Sequence, residues 1–241
     1  MQLYEGMSYR NMYNTEEYNR LIERQKYVLD EKYFSERESF ELPEGYGLET
    51  AIYGDTEQVG KNQFVNKAAL VKCALKRSGE TVHEWISTYS HPREFTEFIQ
   101  HSNGHKYYPF HVDLYGISFL ELDTRKVFNY VPEGYQHDSE YTLGESFIIT
   151  DLHYNINTDL IAFGGCFWAG TNDVMVMKLS NPLDFEMKLV GIHDIIEPDW
   201  DIYDNIDFAK WQGDKLVVIA NGDRTKVEFA VEIAEIEKRL G

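Results

Sequence analysis

One stretch near the middle of the chain predicts a complete four-stranded antiparallel unit. Apolar runs at residues 147–154 and 160–168 flank a turn-rich segment, and a third run follows at 174–179. After a Ser-Asn-Pro turn, residues 185–190 alternate apolar and polar, as in a half-exposed fourth strand. The two middle strands are apolar at consecutive positions, which indicates burial on both faces. We therefore expect similar sheets to pack against this unit from both sides.

Three other segments show the same succession of strands and turns. The third strands of the four units align at Leu70, Ile117, Val174 and Val227, with separations of 47, 57 and 53 residues. These separations are near the period of repeats that each contain four strands. The sequence thus predicts a mainly β domain over residues 39–241, built from stacked antiparallel meanders.

Residues 1–38 predict a helical extension in front of the β domain. The sequence Asn14-Thr-Glu-Glu17 has the form of a capping box, and apolar residues follow at helical spacing. We expect this helix to cover an edge or a face of the sheets. Residues 4–13 before it predict an added strand or a flexible arm, and residues 232–240 predict a short C-terminal helix.

The hairpins at residues 117–127 and 174–182 resemble those of β-propeller proteins of the WD40 kind. The resemblance extends over residues 39–233 at the level of architecture, and it implies a small or partial β-propeller. The third strands of this chain lack the Trp-Asp dipeptide that closes the third strand in that family. Trp200-Asp201 is present, but it lies in a connection. Four units fit a closed ring, an open stack or half of a dimeric assembly. A β-sandwich or barrel is the alternative fold.

The charge of the chain bears on its partners. A formal net charge of -18 disfavours nucleic acid and anionic membranes, which both attract Lys and Arg. The same charge favours solubility and suits a basic protein partner. Cys73 and Cys166 lie far apart in apolar surroundings, so we expect free thiols. The sequence shows neither a leader nor a long apolar span, and we predict a soluble cytoplasmic protein.

The repeats predict a candidate binding site at one end of the stack. There the loops after the second and fourth strands emerge together, and aromatic and polar groups in such places commonly bind ligands or partners. The residues that this end would collect are His91, His111, Asp113, His137, Asp138, Cys166, Trp168, His193, Asp194 and Trp200. The binding residues that we predict are His111, Asp113, His153, Trp168, His193 and Trp200. No catalytic residue, metal ligand or cofactor is assigned.

Two Asp-His pairs bear on the chemistry of this site. His111 and Asp113, and likewise Asp151 and His153, are two residues apart, so each pair shares one face of a strand. Each could act as a ligand couple or as an oriented imidazole, and a hydrogen bond between strand and loop is the simpler interpretation.

Three other patterns are best explained structurally. His101 and His105 have the spacing of metal ligands, but the Asn-Gly between them favours a turn over a zinc site. The glycines around Gly165 indicate a bulge or the close approach of two backbones, because no phosphate-loop context accompanies them. The carboxylates of residues 199–207 indicate a solvated connection, with a calcium site as the alternative.

The leading functional hypothesis is a non-enzymatic interaction module that binds another, basic protein through an acidic surface. The alternative is a small-molecule or glycan hydrolase that uses Asp113 and Asp151 as acid and base. A metal-binding variant of the same loop surface would use His111, His153 and His193.

Overall fold

A computed structural model describes residues 8–61, 63–89, 95–134, 145–168, 170–199 and 201–241. Antiparallel β-strands dominate these ranges. The first eleven elements are β1 (Ser8–Asn11), α1 (Glu16–Gln25), β2 (Phe34–Glu41), β3 (Tyr46–Gly60), β4 (Gln63–Arg77), β5 (Glu80–Ser87), β6 (Ile99–Gln100), β7 (Lys106–Phe110), β8 (Ile117–Glu121), β9 (Val127–Tyr130) and β10 (Pro132–Gly134). The rest are β11 (Ile148–Asn155), β12 (Leu160–Cys166), β13 (Asn172–Lys178), β14 (Val190–Gly191), α2 (His193–Ile196), β15 (Asn205–Gln212), β16 (Lys215–Asn221), β17 (Lys226–Glu232) and α3 (Ile233–Leu240).

The strands form meanders that follow the order of the chain. Sheet I contains β2 to β5, sheet II contains β6 to β9, sheet III contains β11 to β14, and sheet IV contains β15 to β17. Each of the four residues that we aligned lies in the third strand of its sheet. The described sheets do not close into a barrel. The prediction of successive antiparallel meanders is therefore confirmed.

Consecutive sheets share hydrophobic cores. Leu48 and Trp85 of sheet I pack in one cluster with Tyr108 of sheet II. The opposite face of sheet II contributes Phe119 to a second cluster, where it meets Phe163 of sheet III. A third cluster lies between sheets III and IV. The sheets therefore pack face to face in the order I, II, III and IV.

Sheet III has the two-sided burial that its sequence predicts. Along β12, Ile161 and Phe163 contribute to the core shared with sheet II, whereas Leu160 and Ala162 contribute to the core shared with sheet IV. All four side chains are inaccessible to solvent. Side chains of one strand alternate between its faces, so an uninterrupted apolar run requires a neighbouring layer on each side.

The predicted fourth strand of sheet III is only partly formed. Phe185 and Met187 are buried, whereas Glu186 between them and Lys188 after them are exposed, as the alternation indicates. Only Val190 and Gly191 pair with β13, however. The preceding segment instead inserts Phe185 into the core of sheets II and III, where its ring contacts those of Phe119 and Tyr130. Alternation reports which side chains are buried, and it does not require a ladder of hydrogen bonds.

The N-terminal segment begins with a strand and continues into a helix. Strand β1 pairs with β10, and the Arg10 guanidinium makes two hydrogen bonds with the Glu133 carboxylate. The predicted N-cap at Asn14 is wrong by one residue, because Asn14 has a φ of +63° and the Thr15 hydroxyl accepts the Tyr18 amide. An added strand is thus confirmed over Ser8–Asn11, and the part of the predicted arm before residue 8 lies outside the described residues.

The helix and the turn after it cover sheet I. Tyr18 of α1 is buried beside the core of sheets I and II. Val28, in the turn Lys26–Leu29, packs on Tyr53 and Leu70 of sheet I. Strand β2 begins at Phe34, before the predicted Ser39, because this polar edge strand is largely exposed and gives little hydrophobic signal. No helix in the described part of the chain has the length and apolar character needed to span a membrane.

A two-stranded arm extends sheet I at the end where β3 turns into β4. Strands β3 and β4 continue their pairing beyond Tyr53 and Leu70, past the ends of β2 and β5. Near its tip, Val59 and Phe64 are 57% and 67% exposed. Residues 55–61 and 63–67, the described part of this arm, include no buried side chain.

The glycines of β12 allow a close approach of two backbones, as predicted. A Cβ added to Gly165 would lie 1.9 Å from the carbonyl oxygen of Ile148. The register of β11 shifts next to this point, between Ile149 and Asp151. Any larger residue at Gly165 would force β11 and β12 apart.

We predict that Gly165→Ala lowers the free energy of unfolding by about 1–3 kcal/mol, because the added methyl group overpacks the strand pair. Gly54→Ala is the matched control, since the nearest atom to its new methyl group lies 3.9 Å away. Urea denaturation measures both variants. Equal stabilities of the two variants would contradict the close approach at Gly165.

Candidate functional site

His111 is fully buried in the loop between β7 and β8. Its Nδ1 donates to the carbonyl oxygen of Gly116 at 2.8 Å, and its ring packs on Phe95 with 4.6 Å between centroids. The Trp85 indole donates to the His111 carbonyl oxygen at 3.1 Å. Burial lowers the pKa of His111 to about 4, so the ring is neutral near pH 7. These contacts join sheets I and II.

Asp113 lies in the same loop and contacts sheet I. Its carboxylate accepts the Thr88 hydroxyl at 2.7 Å and the Tyr115 amide at 3.3 Å. Thr88 also donates its backbone amide to Val112 at 3.1 Å. Burial raises the pKa of Asp113, and the two hydrogen bonds to its carboxylate oppose this rise. The carboxylate therefore connects the residue after β5 to the loop after β7 by a hydrogen bond.

Asp151 and His153 share one face of β11, as their spacing predicts. His153 Nε2 lies 3.3 Å from the Asp151 carboxylate. The imidazole stacks on Phe208 of sheet IV, with ring centroids 3.8 Å apart. Trp211 donates to the His153 carbonyl oxygen at 3.1 Å. This pair lies at the junction of sheets III and IV, and its partners differ from the Thr88 and Tyr115 that hold Asp113.

His193 lies between two carboxylates. Its Nδ1 binds Asp173 at the start of β13, and its Nε2 lies 3.1 Å from Asp194. Burial lowers the pKa of His193, but the hydrogen bond and charge of Asp173 and the charge of Asp194 outweigh this effect and raise it. Trp168 is 61% exposed on the loop after β12. His91, His137, Asp138 and Trp200 lie outside the described residues.

The loops of successive sheets meet at the predicted end. Tyr115, after β7, lies near Glu145 and Cys166 of the sheet III segment; burial and then these neighbours raise its pKa to about 12. The Asn172 amide donates to the Asn205 side chain at 2.9 Å, which joins sheet III to sheet IV. The structure thus brings the loops together pair by pair, with His111 and His193 at different junctions. A shared binding role for these residues stays a prediction.

The turn between β6 and β7 is confirmed. His101 donates its amide to the His105 carbonyl oxygen at 3.0 Å, and Gly104 has a φ of +90°. His101 Nε2 binds the Leu179 carbonyl oxygen at 2.7 Å, and its Nδ1 accepts the Asn103 amide at 3.2 Å. Both ring nitrogens of His101 are therefore occupied within the protein, and the two histidines do not act as a metal-binding pair.

A cleft of about 820 Å³ lies where α1 meets sheet I. Tyr18, Cys73, His83 and Trp85 line it. Burial raises the pKa of Cys73 to about 12 and lowers that of His83, so the thiol and the imidazole are both neutral near pH 7. Sequence reasoning did not find this cleft, because the cleft depends on how α1 docks. Only the alternation along β4 and β5 hinted at which side chains share its face.

The connection between sheets III and IV is an exposed acidic segment. We define it as residues 194–207, and the sequence has no Lys or Arg between Lys188 and Lys210. Its exposed carboxylates are Glu197, Asp199, Asp201, Asp204 and Asp207. Ile202 among them is 48% exposed. The predicted solvated acidic connection is confirmed for residues 199 and 201–204, whereas Asn205, Ile206 and Asp207 form the start of β15, with Ile206 buried.

The carboxylates of this segment bind protein groups individually. Asp199 accepts the Asp201 amide at 3.1 Å, and Asp207 accepts the Asn221 side chain at 2.6 Å. Within the described residues, the grouping of three potential metal ligands lies elsewhere, at His105, Glu121 and Asp123. The calcium alternative therefore has no convergent ligand set in the described part of this connection.

No protein-family model matches the chain, and neither a curated protein nor a solved structure matches it.

We predict that replacing His111 changes how stability depends on pH. An exposed histidine has a pKa of about 6.5, so below this pH the unfolded chain binds a proton that buried His111 does not. The free energy of unfolding should fall by up to about 3 kcal/mol between pH 6.5 and pH 4 because of this residue. His111→Gln keeps a polar group but does not titrate. Urea denaturation across this range should show a smaller slope for the variant, and identical slopes would contradict the assignment.

Proposed function

We propose that this protein is a non-enzymatic interaction module that binds a basic protein through the acidic connection at residues 194–207. The observation that carries the proposal is the combination of five exposed carboxylates with exposed Ile202, in a segment without Lys or Arg. Charges of one sign accelerate the approach of an oppositely charged partner. An apolar residue within the charged area supplies surface that a partner can bury.

The neighbouring loop extends this surface. Asn172, at the end of the loop that contains Trp168, bonds to Asn205 at the end of the acidic connection. Trp168 is 61% exposed, and aromatic side chains contribute strongly to binding in protein interfaces. The proposed interface therefore combines an aromatic anchor with a carboxylate-rich rim on adjacent loops.

The other part of the proposal concerns the absence of catalysis. His111 and His153 have structural partners in the fold, and burial raises the pKa of the Cys73 and Cys166 thiols, which disfavours their nucleophilic forms. The face-to-face order of the sheets supports a partial, propeller-like stack that presents loops at one end. We place this module in the cytoplasm, consistent with its free cysteines.

We predict that neutralising four carboxylates of the acidic connection weakens partner capture. The test variant combines Glu197→Gln, Asp199→Asn, Asp201→Asn and Asp204→Asn. Removing four charges from the interface should weaken binding roughly tenfold or more. The measurement is affinity capture from a lysate of the source cells at low and high salt, followed by titration of the captured protein.

The matched control removes the same number of charges from sheet I and from the segment just before it. Its substitutions are Glu31→Gln, Glu36→Gln, Glu41→Gln and Glu80→Gln, all at exposed positions. It should capture the same basic protein as the wild type, in a salt-sensitive manner. Equal loss in both variants would show that only net charge matters, and capture of no basic protein by the wild type would overturn the proposal.

A further inference from the structure

A second group of side chains converges at the opposite end of β7 and β8, away from the loop after β7. Tyr107 pairs with Glu121, and the Leu122 amide donates to the Lys106 carbonyl oxygen at 2.9 Å. Continuing this register places His105 across from Asp123. Because side chains two residues apart share a face, Glu121 lies on the same side of the sheet as His105 and Asp123.

The three side chains bring potential metal ligands close together. His105 Nδ1, one Glu121 oxygen and one Asp123 oxygen all lie within 4.8 Å of one another. The imidazole nitrogen lies 2.8 Å from Asp123 Oδ2 and 4.0 Å from Glu121 Oε1. Ligand atoms around one ion, each bonded at about 2.0–2.2 Å, are roughly 3–4 Å apart. Small side-chain rotations would therefore place all three around a common ion.

The carboxylate of Glu121 is buried and oriented by donors. The residue is 5% exposed, and its two oxygens accept hydrogen bonds from the Tyr107 and Thr124 hydroxyls. Hydrogen-bonded support of this kind is typical of metal ligands.

Asn103 braces both sides of the cluster. Its side-chain amide donates to the Tyr107 hydroxyl at 2.8 Å, and its side-chain oxygen accepts the His105 amide at 3.0 Å. Asn103 therefore holds both the His105 backbone and the Tyr107 hydroxyl that donates to Glu121. Lys106 lies on the other face of the strand and pairs with Glu44, away from the cluster.

We infer that His105, Glu121 and Asp123 form a binding site for a divalent transition-metal ion, with Zn²⁺ as the best match. One imidazole nitrogen and two carboxylate oxygens are borderline-to-hard ligands that suit zinc, and water would complete the coordination. Bound metal would clamp the turn before β7 to the turn after β8. This site is separate from the acidic connection, so either proposal can fail alone.

We predict that Zn²⁺ binds the full-length, tag-free protein in a ratio of one to one, measured by isothermal titration calorimetry. Asp123→Asn should weaken this binding at least about tenfold, because it removes one ligand charge while keeping the size of the side chain. Thermal unfolding should show stabilisation of the wild type by Zn²⁺ and a smaller effect in the variant.

The control is Asp151→Asn, which alters another surface Asp-His pair and should leave Zn²⁺ affinity unchanged. His105→Gln is a second test, since this side chain is 41% exposed and its loss should not prevent folding. Both variants need wild-type circular dichroism without metal. The absence of Zn²⁺ binding to the wild type, or unchanged affinity in Asp123→Asn and His105→Gln, would overturn the inference.

Discussion

The burial of both faces of sheet III is the constraint on which the rest of the structure depends. Phe163 requires an apolar layer on one side and Ala162 requires one on the other. Removing a large apolar side chain such as Phe from water contributes about 1.5–3 kcal/mol, and sheet III provides many such contacts. Sheet II meets the same condition, because adjacent Tyr107 and Tyr108 pack in different cores. The molecule is therefore a stack whose inner sheets are stable only with their neighbours present.

This constraint also explains the histidines. Neighbouring sheets must also be joined at their edges and loops, outside the hydrophobic cores. Polar side chains make those contacts. His111 joins sheets I and II, and His153 stacks between sheets III and IV. Such residues resemble catalytic groups in the sequence, but their partners are carbonyl oxygens, aromatic rings and adjacent carboxylates. The five exposed carboxylates of the acidic connection lie in a segment without Lys or Arg, and the proposed function rests on them.

The sequence predicted the repeated meanders because burial and turns are local patterns: the apolar run at Leu160 and the turn at Ser78-Gly79 are visible directly. It failed where the tertiary environment decides. Asn14 and Thr15 are both good capping residues, and backbone geometry selects the second. Phe185 alternates as a strand does but inserts into a core instead. His105 and Asp123 are 18 residues apart, and only the register of β7 and β8 makes them neighbours.

Amide hydrogen exchange of the native protein tests the two-sided burial of sheet III most directly. Because sheet III is buried on both faces, amides in β12 and β13 should exchange only through global unfolding, whereas amides near the tip of the β3–β4 arm should exchange rapidly. Exchange of β12 and β13 at much lower free energy, with sheets I and II still protected, would contradict this prediction. That result would mean that sheet III is a peripheral layer and that the stacked architecture is wrong.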